Sequence, residues 1–221
     1  MTTVFLLSGN GFADSSPGRQ TEVTAADLAR RGYVAVQLSY PSMKGVGSFL
    51  GLARQLVRAS RGEPIGLVGF SAGGTLALRL AGYPGLNVAA VLNFYGPPDL
   101  SDYMNHHAGD IFARKVAQNI GGNRAFIDAM SGPNPTTAYI VNAFGARDRN
   151  VVASVSEASF RRDFSSGATY TYGGNHGVTI RAQPAAYMDF LNHLPVVVAP
   201  DASLRLPRRP RPFFARPRPI S

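Results

Sequence analysis

The feature that most constrains the fold of this chain is an alternation of short apolar runs with longer segments of helical period. Runs such as TVFLLSG (3–9) and PIGLVGF (64–70) are rich in apolar and β-branched residues and predict buried strands. Between such runs, segments such as GSFLGLARQLVRAS (47–60) repeat apolar residues every three or four positions, which predicts amphipathic helices. This alternation favours a parallel sheet whose right-handed crossover helices cover both faces.

The pattern can be followed over most of the chain. Strands are predicted at 3–9, 33–40, 64–70, 87–96, 136–145 and 168–173. Helices are predicted at 24–32, 47–60, 72–83, 111–120, 152–164 and 180–194. Thr24 is the expected N-cap of the first helix and Gly32 its expected C-terminal stop. The sequence therefore predicts an α/β fold, a three-layer sandwich with a mostly or wholly parallel sheet of about six strands.

Two segments depart from this pattern. Residues 97–135 are irregular and turn-rich, with one helical stretch, and they resemble an insertion in the alternation. Beyond Pro195 the composition changes to proline and arginine without periodicity, which is typical of an extended, disordered tail. We expect one domain over 1–195, in which 97–135 form a cap-like insertion, and a tail at 196–221.

The formal net charge of +9 is concentrated in the tail, because residues 200–221 hold six arginines and one aspartate. The rest of the chain carries little excess charge, so no obligatory nucleic-acid partner is expected. A solubilising end is the first interpretation of the tail. The alternatives are contact with an acidic surface, such as nucleic acid or anionic lipid, and a polyproline ligand formed by PRRP. The sequence does not predict an oligomeric state.

Cysteine is absent, which excludes disulfides, thiolate metal ligands and a cysteine nucleophile. No apolar run reaches about 18 residues, so no membrane-spanning helix is expected. The opening MTTVFLLSGNGF has no basic residues before its apolar run, so a signal peptide is not expected and the default location is the cytoplasm.

The strongest chemical signal is GFSAGG (69–74), between a predicted strand and a predicted helix. It satisfies G-x-S-x-G, in which a tight turn raises the serine hydroxyl above the edge of the sheet. Gly69 and Gly73 are expected because side chains there would collide with neighbouring backbone. The pattern indicates Ser71 as a nucleophile, and the alternative is a glycine corner with an incidental serine.

A serine nucleophile needs a base, and the base needs an acid that orients it. His176 follows the last predicted strand, at the same sheet edge as Ser71, and is the expected base. Asp148 follows the preceding strand and is the expected acid, in the order Ser, Asp, His. Asp99 and Asp102 are the second choice for the acid. Of the other histidines, His193 is expected to be a packing or surface residue, and His106 and His107 fall in the insertion.

An oxyanion site needs backbone donors near the nucleophile. The amide of Ala72 lies at the start of the helix that follows Ser71. The turn after the first strand, SGNGF (8–12), is named here the oxyanion loop, and its amides at Asn10 or Gly11 are the second expected donor.

The insertion is expected to shape a substrate pocket, with Tyr103, Met104 and Phe112 as apolar walls. His106, His107 and Asp110 invite a metal-site interpretation. Adjacent histidines point in different directions on a helix or strand, so no metal is expected.

These motifs resemble those of the α/β-hydrolase superfamily over residues 3–194. SGNGF is similar to the HGGGF loop of the esterase and lipase branch, and GFSAGG resembles the serine turn of small carboxylesterases of the dienelactone-hydrolase-like and acetyl-xylan-esterase-like branch. Ser8 stands where HGGGF has histidine, the usual first two strands have no counterpart, and the cysteine nucleophile of dienelactone hydrolases is absent.

The sequence thus predicts a serine hydrolase that cleaves a carboxylic ester through an acyl-enzyme, without a cofactor. An acyltransferase or amidase with the same triad is one alternative. A non-catalytic binding protein with a hydrolase fold is the other.

Overall fold

The computed structural model describes residues 1–195, so the predicted tail at 196–221 lies outside the described residues. Six strands form a single sheet in the order β2-β1-β3-β4-β5-β6, and every neighbouring pair is parallel. Their bounds are β1 Thr3–Leu7, β2 Val34–Leu38, β3 Ile65–Phe70, β4 Val88–Phe94, β5 Tyr139–Gly145 and β6 Gly167–Tyr172. The predicted parallel α/β sheet of about six strands is confirmed, with each strand at its predicted place.

Helices connect the strands. Their bounds are α1 Arg19–Arg30, α2 Val46–Ser60, α3 Ala72–Ala81, α4 Leu100–His106, α5 Ile111–Asn119, α6 Arg124–Ala129, α7 Ala153–Asp163 and α8 Pro184–Asn192. A short 3₁₀ helix, Ile180–Ala182, precedes α8. In the described part of the chain, no helix is both long and apolar enough to cross a membrane.

Two hydrophobic layers, one on each face of the sheet, make the three-layer sandwich. Alternate side chains of β1 point to opposite faces, so Phe5 and Leu7 join one layer while Val4 and Leu6 join the other. Helices α2, α3 and α7 cover the first layer, and α1 and α8 cover the second. The central strand β3 is buried along its whole length, as expected of a strand covered on both faces.

The first helix begins five residues earlier than its predicted N-cap. Gly18 is the N-cap, and its amide donates to the hydroxyl of Thr21, which in turn donates to the Gly18 carbonyl. Thr24 lies inside the helix, where its hydroxyl donates to the carbonyl of Gln20. The prediction of Thr24 as N-cap is wrong because threonine can satisfy its hydroxyl on the preceding turn of a helix. Gly32 follows the helix end with φ +85°, as expected of a stop.

Residues 97–135 connect β4 to β5 and form the three short helices α4, α5 and α6. Only α5 was expected from the sequence. Helices α4 and α6 have 7 and 6 residues, too few for a helical period to be recognisable. Their caps are local, since Asp99 accepts from the amide of Asp102 and Asn123 accepts from the amide of Phe126.

Candidate active site

Ser71 lies at a sharp turn between β3 and α3, with φ 52° and ψ −126°. The left-handed region is costly for a residue with a side chain, so neighbouring structure must hold Ser71 there. That structure is closely packed backbone. A Cβ on Gly69 would run into the carbonyl of Gly73, and a Cβ on Gly73 would lie 2.6 Å from the carbonyl oxygen of Ser8. Side chains at either glycine are therefore incompatible with this turn.

A buried asparagine pair supports the turn from below, and sequence reasoning did not identify it. Asn93, in the centre of the sheet on β4, donates to the carbonyl of Gly96 and to Oδ1 of Asn142, both at 2.8 Å. Gly96 in turn lies so close to the turn at Ser71 that a Cβ on it would be 2.5 Å from the carbonyl oxygen of Ser71. A polar residue in the middle of an otherwise apolar strand, as in VLNFYG, was the available signal.

The structure brings Ser71, His176 and Asp148 together in one hydrogen-bonded chain. His176 Nε2 lies 2.9 Å from Ser71 Oγ, and His176 Nδ1 lies 2.8 Å from Asp148 Oδ2. The Asp148 side chain is fully buried, whereas that of His176 is 23% exposed. The other carboxylate oxygen of Asp148 accepts from the backbone amides of Asn150 and Val151. Three donors thus fix the carboxylate, which in turn fixes the orientation of the imidazole.

Tyr95 supports the imidazole of His176 from the side and was missed by sequence reasoning. The two ring centroids are 4.5 Å apart, and the Tyr95 hydroxyl donates to the carbonyl of Val178 at 3.2 Å. Burial raises the pKa of Tyr95 far above its ordinary value, so the phenol stays protonated and neutral. Its backbone has φ +43°, directly after the end of β4. The position of a tyrosine immediately after a strand was the only signal in the sequence.

The oxyanion loop passes directly over the turn that holds Ser71. A Cβ on Gly9 would lie 2.6 Å from Ser71 Cβ, so the backbone of the loop is in contact with the serine. Gly9, Asn10 and Gly11 line the same cavity as Ser71 and Ala72. Within residues 1–195, the amides of Asn10, Gly11 and Ala72 donate no hydrogen bond to a protein acceptor. All three expected donors therefore lie free beside the serine.

Ser8, which opens the oxyanion loop, is held by hydroxyl groups. Tyr40 and Ser15 both donate to the carbonyl of Ser8, and the Ser8 hydroxyl lies 3.4 Å from that of Thr21. Burial raises the pKa of Tyr40 to about 12, so the phenol remains a donor at neutral pH. These hydroxyls anchor the start of the loop on the side of β2.

A cavity of about 270 Å³ opens above Ser71 and His176. Tyr103 and Phe112 of the insertion form part of its wall, as expected, and Lys115 and Val116 of α5 join them. Met104 does not line the cavity, so its assignment as a wall is wrong. Met104 packs against the hydrophobic layer beneath, because consecutive residues of a helix, here Tyr103 and Met104, point in different directions.

The rival acids are engaged elsewhere. Asp99 caps α4 and forms an ion pair with Arg162 at 2.8 Å, and Asp102 pairs with the same guanidinium at 2.7 Å. Arg162 also pairs with its neighbour Asp163. Asp99 and Asp102 therefore attach the insertion to α7 and make no hydrogen bond to His176.

The remaining histidines lie away from Ser71. Buried His107 pairs with Asp110 at 2.6 Å, and its ring lies 5.0 Å from that of His106. His193 stacks on Tyr139. Among residues 1–195, no group of three or more His, Cys, Asp or Glu side chains is arranged to hold a metal ion.

The sheet is parallel, a serine lies at the sharp turn after its third strand, and the loops that carry Asp148 and His176 lie at the same edge. This arrangement defines an α/β-hydrolase fold. Residues 22–131, just under half of the chain, match the model of the dienelactone hydrolase family. The match is a similarity to that family over this range, and the structural relatives below share the α/β-hydrolase fold. No curated protein is significantly similar to it in sequence.

Solved structures with this fold include several esterases. An acetyl xylan esterase from Paenibacillus sp. R4 aligns with a TM-score of 0.66 and 15% identity, over 88% of this chain and 75% of that one. Esterase B from Lactobacillus rhamnosis aligns with a TM-score of 0.64 and 19% identity, over 87% and 74%. The Pyrococcus furiosus esterase Pf2001 aligns with a TM-score of 0.64 and 17% identity, over 87% and 81%. At these identities the likeness is one of fold.

Proposed function

We propose that the protein is a serine hydrolase that cleaves a carboxylic ester through an acyl-enzyme intermediate. The observation that carries this proposal is the chain Asp148–His176–Ser71, with contacts of 2.8 and 2.9 Å, in which Ser71 and His176 line an open cavity. The family match and the esterases among the structural relatives support hydrolysis as the class of reaction. Ser71 is the nucleophile, His176 the general base and Asp148 the residue that orients the base.

In the first half of the reaction, Ser71 Oγ attacks the ester carbonyl and its proton passes to His176 Nε2. The imidazolium that forms keeps its Nδ1 proton hydrogen-bonded to Asp148, whose negative charge stabilises it. The tetrahedral intermediate collapses as His176 returns the proton to the leaving alkoxide. An alcohol departs, and the acyl group remains on Ser71.

In the second half, a water molecule takes the place of the alcohol. His176 removes a proton from the water as it attacks the acyl carbonyl, and returns the proton to Ser71 Oγ when the second intermediate collapses. The products are a carboxylic acid and the free enzyme. An acyltransferase would differ only in the acceptor that enters at this step, and an amidase only in the leaving group.

Both intermediates carry a negative charge on the former carbonyl oxygen. The Ala72 amide at the start of α3 and the amide of Asn10 or Gly11 in the oxyanion loop are the donors for that charge. The α3 dipole adds to the stabilisation because its positive end lies at Ala72. Loss of one such donor typically lowers kcat by about 10²- to 10³-fold.

The size of the cavity favours a small acyl group. A volume of about 270 Å³ lies below the range of roughly 300–1,000 Å³ typical of pockets for drug-sized ligands. Its walls include aromatic side chains from the insertion, the amide side chains of Gln20 and Asn150, and one lysine, so the pocket is mainly apolar with a single formal positive charge at Lys115. Short-chain esters are therefore the first substrates to test.

The experiment that tests the proposal combines labelling with turnover. A fluorophosphonate probe should label the wild-type protein and the Ser16→Ala control, in which an exposed serine is removed, but not Ser71→Ala. The same two active proteins should hydrolyse p-nitrophenyl acetate. Labelling of Ser71→Ala, or a wild-type protein that is neither labelled nor active, would refute the proposal and favour a binding protein with a hydrolase fold.

A further inference from the structure

We propose that Asn119, on helix α5 of the insertion, is a positioning residue for the oxyanion loop. The inference rests on the proposed esterase function. It gives the insertion a part in stabilising the transition state, in addition to forming the cavity wall.

The contact itself joins two residues that are 108 positions apart in the chain. Asn119 Nδ2 donates to the carbonyl oxygen of Gly11 at 2.8 Å. The approach is close, since a Cβ on Gly11 would lie 3.3 Å from the same nitrogen. Because the peptide unit is planar, fixing this carbonyl also fixes the plane of the peptide between Gly11 and Phe12.

The loop that receives this hydrogen bond is strained. Gly11 has φ +55° and Phe12 has φ +66°, and the amide of Ala13 closes the turn on the carbonyl of Asn10 at 3.0 Å. A phenylalanine in the left-handed region is unfavourable and persists only where surrounding contacts over-determine it. The turn thus depends on its neighbours for its shape.

Three of the contacts that hold Gly11 and Phe12 come from other parts of the chain, and two of these three come from the insertion. The amide of Met43 donates to the carbonyl of Phe12 at 2.8 Å from the connection after β2. The insertion supplies Asn119 and also Phe126 on α6, whose ring meets that of Phe12 edge to face at 5.5 Å. Phe12 is almost fully buried in this contact. Of these contacts, the hydrogen bond from Asn119 is the one made to the backbone of Gly11.

The geometry links this contact to the chemistry. The amides of Asn10 and Gly11 belong to the same turn, and the preceding Gly9 is in contact with Ser71. A donor stabilises an oxyanion only when it lies about 2.7–3.1 Å from that oxygen, so a small displacement of the turn weakens the interaction. Substrate binding in the cavity makes a smaller demand on the direction of these amides. Removing the Asn119 hydrogen bond should therefore affect kcat more than KM.

The test uses two variants and one control. Asn119→Asp is isosteric but replaces the donor by a carboxylate that cannot donate at neutral pH, and Asn119→Ala removes the group without adding charge. The control is Gln118→Ala, which truncates the exposed neighbouring amide on the same helix. All three are made in the full chain, and their thermal unfolding is compared with that of the wild type.

For p-nitrophenyl acetate we expect kcat to fall about 10- to 100-fold in both Asn119 variants, with KM within about threefold of the wild type. Phenylboronic acid, which forms a tetrahedral adduct with an active-site serine, should bind them more weakly by a similar factor. Gln118→Ala should keep wild-type values. The wild type and every variant should be compared at the same temperature, below the unfolding transition of the least stable one.

Folded variants with kcat within twofold of the wild type would overturn the positioning role. An equal rise in KM and fall in kcat with unchanged boronate affinity would also overturn it, because the contact would then only shape the cavity. If Asn119→Asp does not fold, Asn119→Ala decides the question by the same criteria. An inactive wild-type protein would overturn the esterase function together with this inference, whereas an active wild type with unaffected variants would overturn this inference alone.

Discussion

The ring of Tyr95 packs against the imidazole of His176 with their centroids 4.5 Å apart and their planes at 60°. The contact joins the ends of two different strands, because Tyr95 follows β4 and His176 follows β6. The hydroxyl of Tyr95 is tied to the carbonyl of Val178, two residues beyond the histidine. One side chain therefore supports both the imidazole and the loop that carries it.

We expect Tyr95→Ala and Tyr95→Phe to separate these two effects. Tyr95→Ala removes the ring, frees His176 to adopt other rotamers, and should lower kcat by about 100-fold. Tyr95→Phe keeps the ring and loses one hydrogen bond, which should lower kcat less than tenfold and stability by about 1 kcal/mol. Steady-state kinetics and thermal unfolding measure the two quantities. Equal kcat values in the two variants would show that the ring does not hold the histidine.

A second comparison distinguishes the proposed acid from its rival. Asp148→Asn retains an oxygen for the amides of Asn150 and Val151, but it cannot stabilise the imidazolium of His176. We expect kcat to fall by about 10²- to 10⁴-fold. The matched variant Asp99→Asn should keep kcat within about threefold, because Asp99 is bonded to Arg162 and to helix α4. If Asp99→Asn lost activity while Asp148→Asn kept it, Asp99, which follows β4, would be the catalytic acid instead.

The sheet could be predicted from the sequence because its strands are buried and bounded by glycine and proline signals. The strand VLNFYG gave a clear apolar run, yet the roles of Asn93 and Tyr95 within it depend on neighbours 49 and 81 positions away. A single sequence does not display such long-range pairs. The same holds for Asn119, whose partner Gly11 is distant in the chain and whose own position shows no motif.

The placement of Ser71, Asp148 and His176 followed from topology, since the carboxyl ends of parallel strands meet at one edge. The predictions failed where the sequence allows a side chain two different local arrangements. Thr24 was expected to cap α1, but threonine can equally bond to the preceding helical turn, as it does to Gln20. Met104 was wrongly expected in the cavity wall. The helix α4 is so short that the sequence does not determine which of its side chains face the cavity.

The ion pairs between the insertion and α7 predict a dependence of stability on pH. Burial alone raises the pKa of Asp99, but hydrogen bonds from the amides of Gly132 and Asp102, with the charge of Arg162, outweigh it and hold the pKa below its ordinary value. A carboxylate with a lowered pKa stabilises the fold above its unfolded pKa, and this contribution is lost as the pH falls through the folded pKa.

Asp99→Asn should therefore be less stable than the wild type at pH 7, by roughly 1–3 kcal/mol. The difference should begin to shrink below about pH 4, where Asp99 is protonated in the unfolded chain, and should disappear as the pH falls through the lower pKa of the folded protein. Urea unfolding at pH 7, 5 and 3.5 measures it. A difference that stays constant over this range would show that the charge of Asp99 contributes nothing and that the substitution acts through packing.

Phe112 is expected to limit the length of the acyl group. It lines the cavity while 44% exposed, so its truncation opens the wall without leaving a buried void. We expect Phe112→Ala to raise the ratio of kcat/KM for p-nitrophenyl butyrate over acetate by at least about 10-fold, since each of the two additional methylenes contributes about 1–3 kcal/mol when it is accommodated. Ile111→Ala is the matched control, because Ile111 is the exposed neighbour outside the cavity lining. An unchanged ratio in Phe112→Ala would assign the limit to another wall.

Two glycine substitutions should have opposite effects on stability. A Cβ at Gly73 would lie 2.6 Å from the carbonyl oxygen of Ser8 and would push the oxyanion loop away from the turn at Ser71. Gly73→Ala should therefore abolish turnover and destabilise the protein by at least about 2 kcal/mol. Gly51 lies exposed on α2, and a Cβ there meets no atom within 4 Å. Gly51→Ala should stabilise the protein by about 0.5–1 kcal/mol, because alanine favours the helix, and leave kcat unchanged.

Urea unfolding and p-nitrophenyl acetate turnover of the two variants measure these effects side by side. Both replace glycine by alanine inside a helix, so the helix-forming advantage of alanine is common to them and cancels in the comparison. The remaining difference reports the contact of α3 with the carbonyls of Leu7, at the end of β1, and Ser8, at the start of the oxyanion loop. Wild-type turnover in Gly73→Ala would mean that the backbone at this contact can shift to accept a Cβ, and that catalysis by Ser71 does not require the close approach of the oxyanion loop.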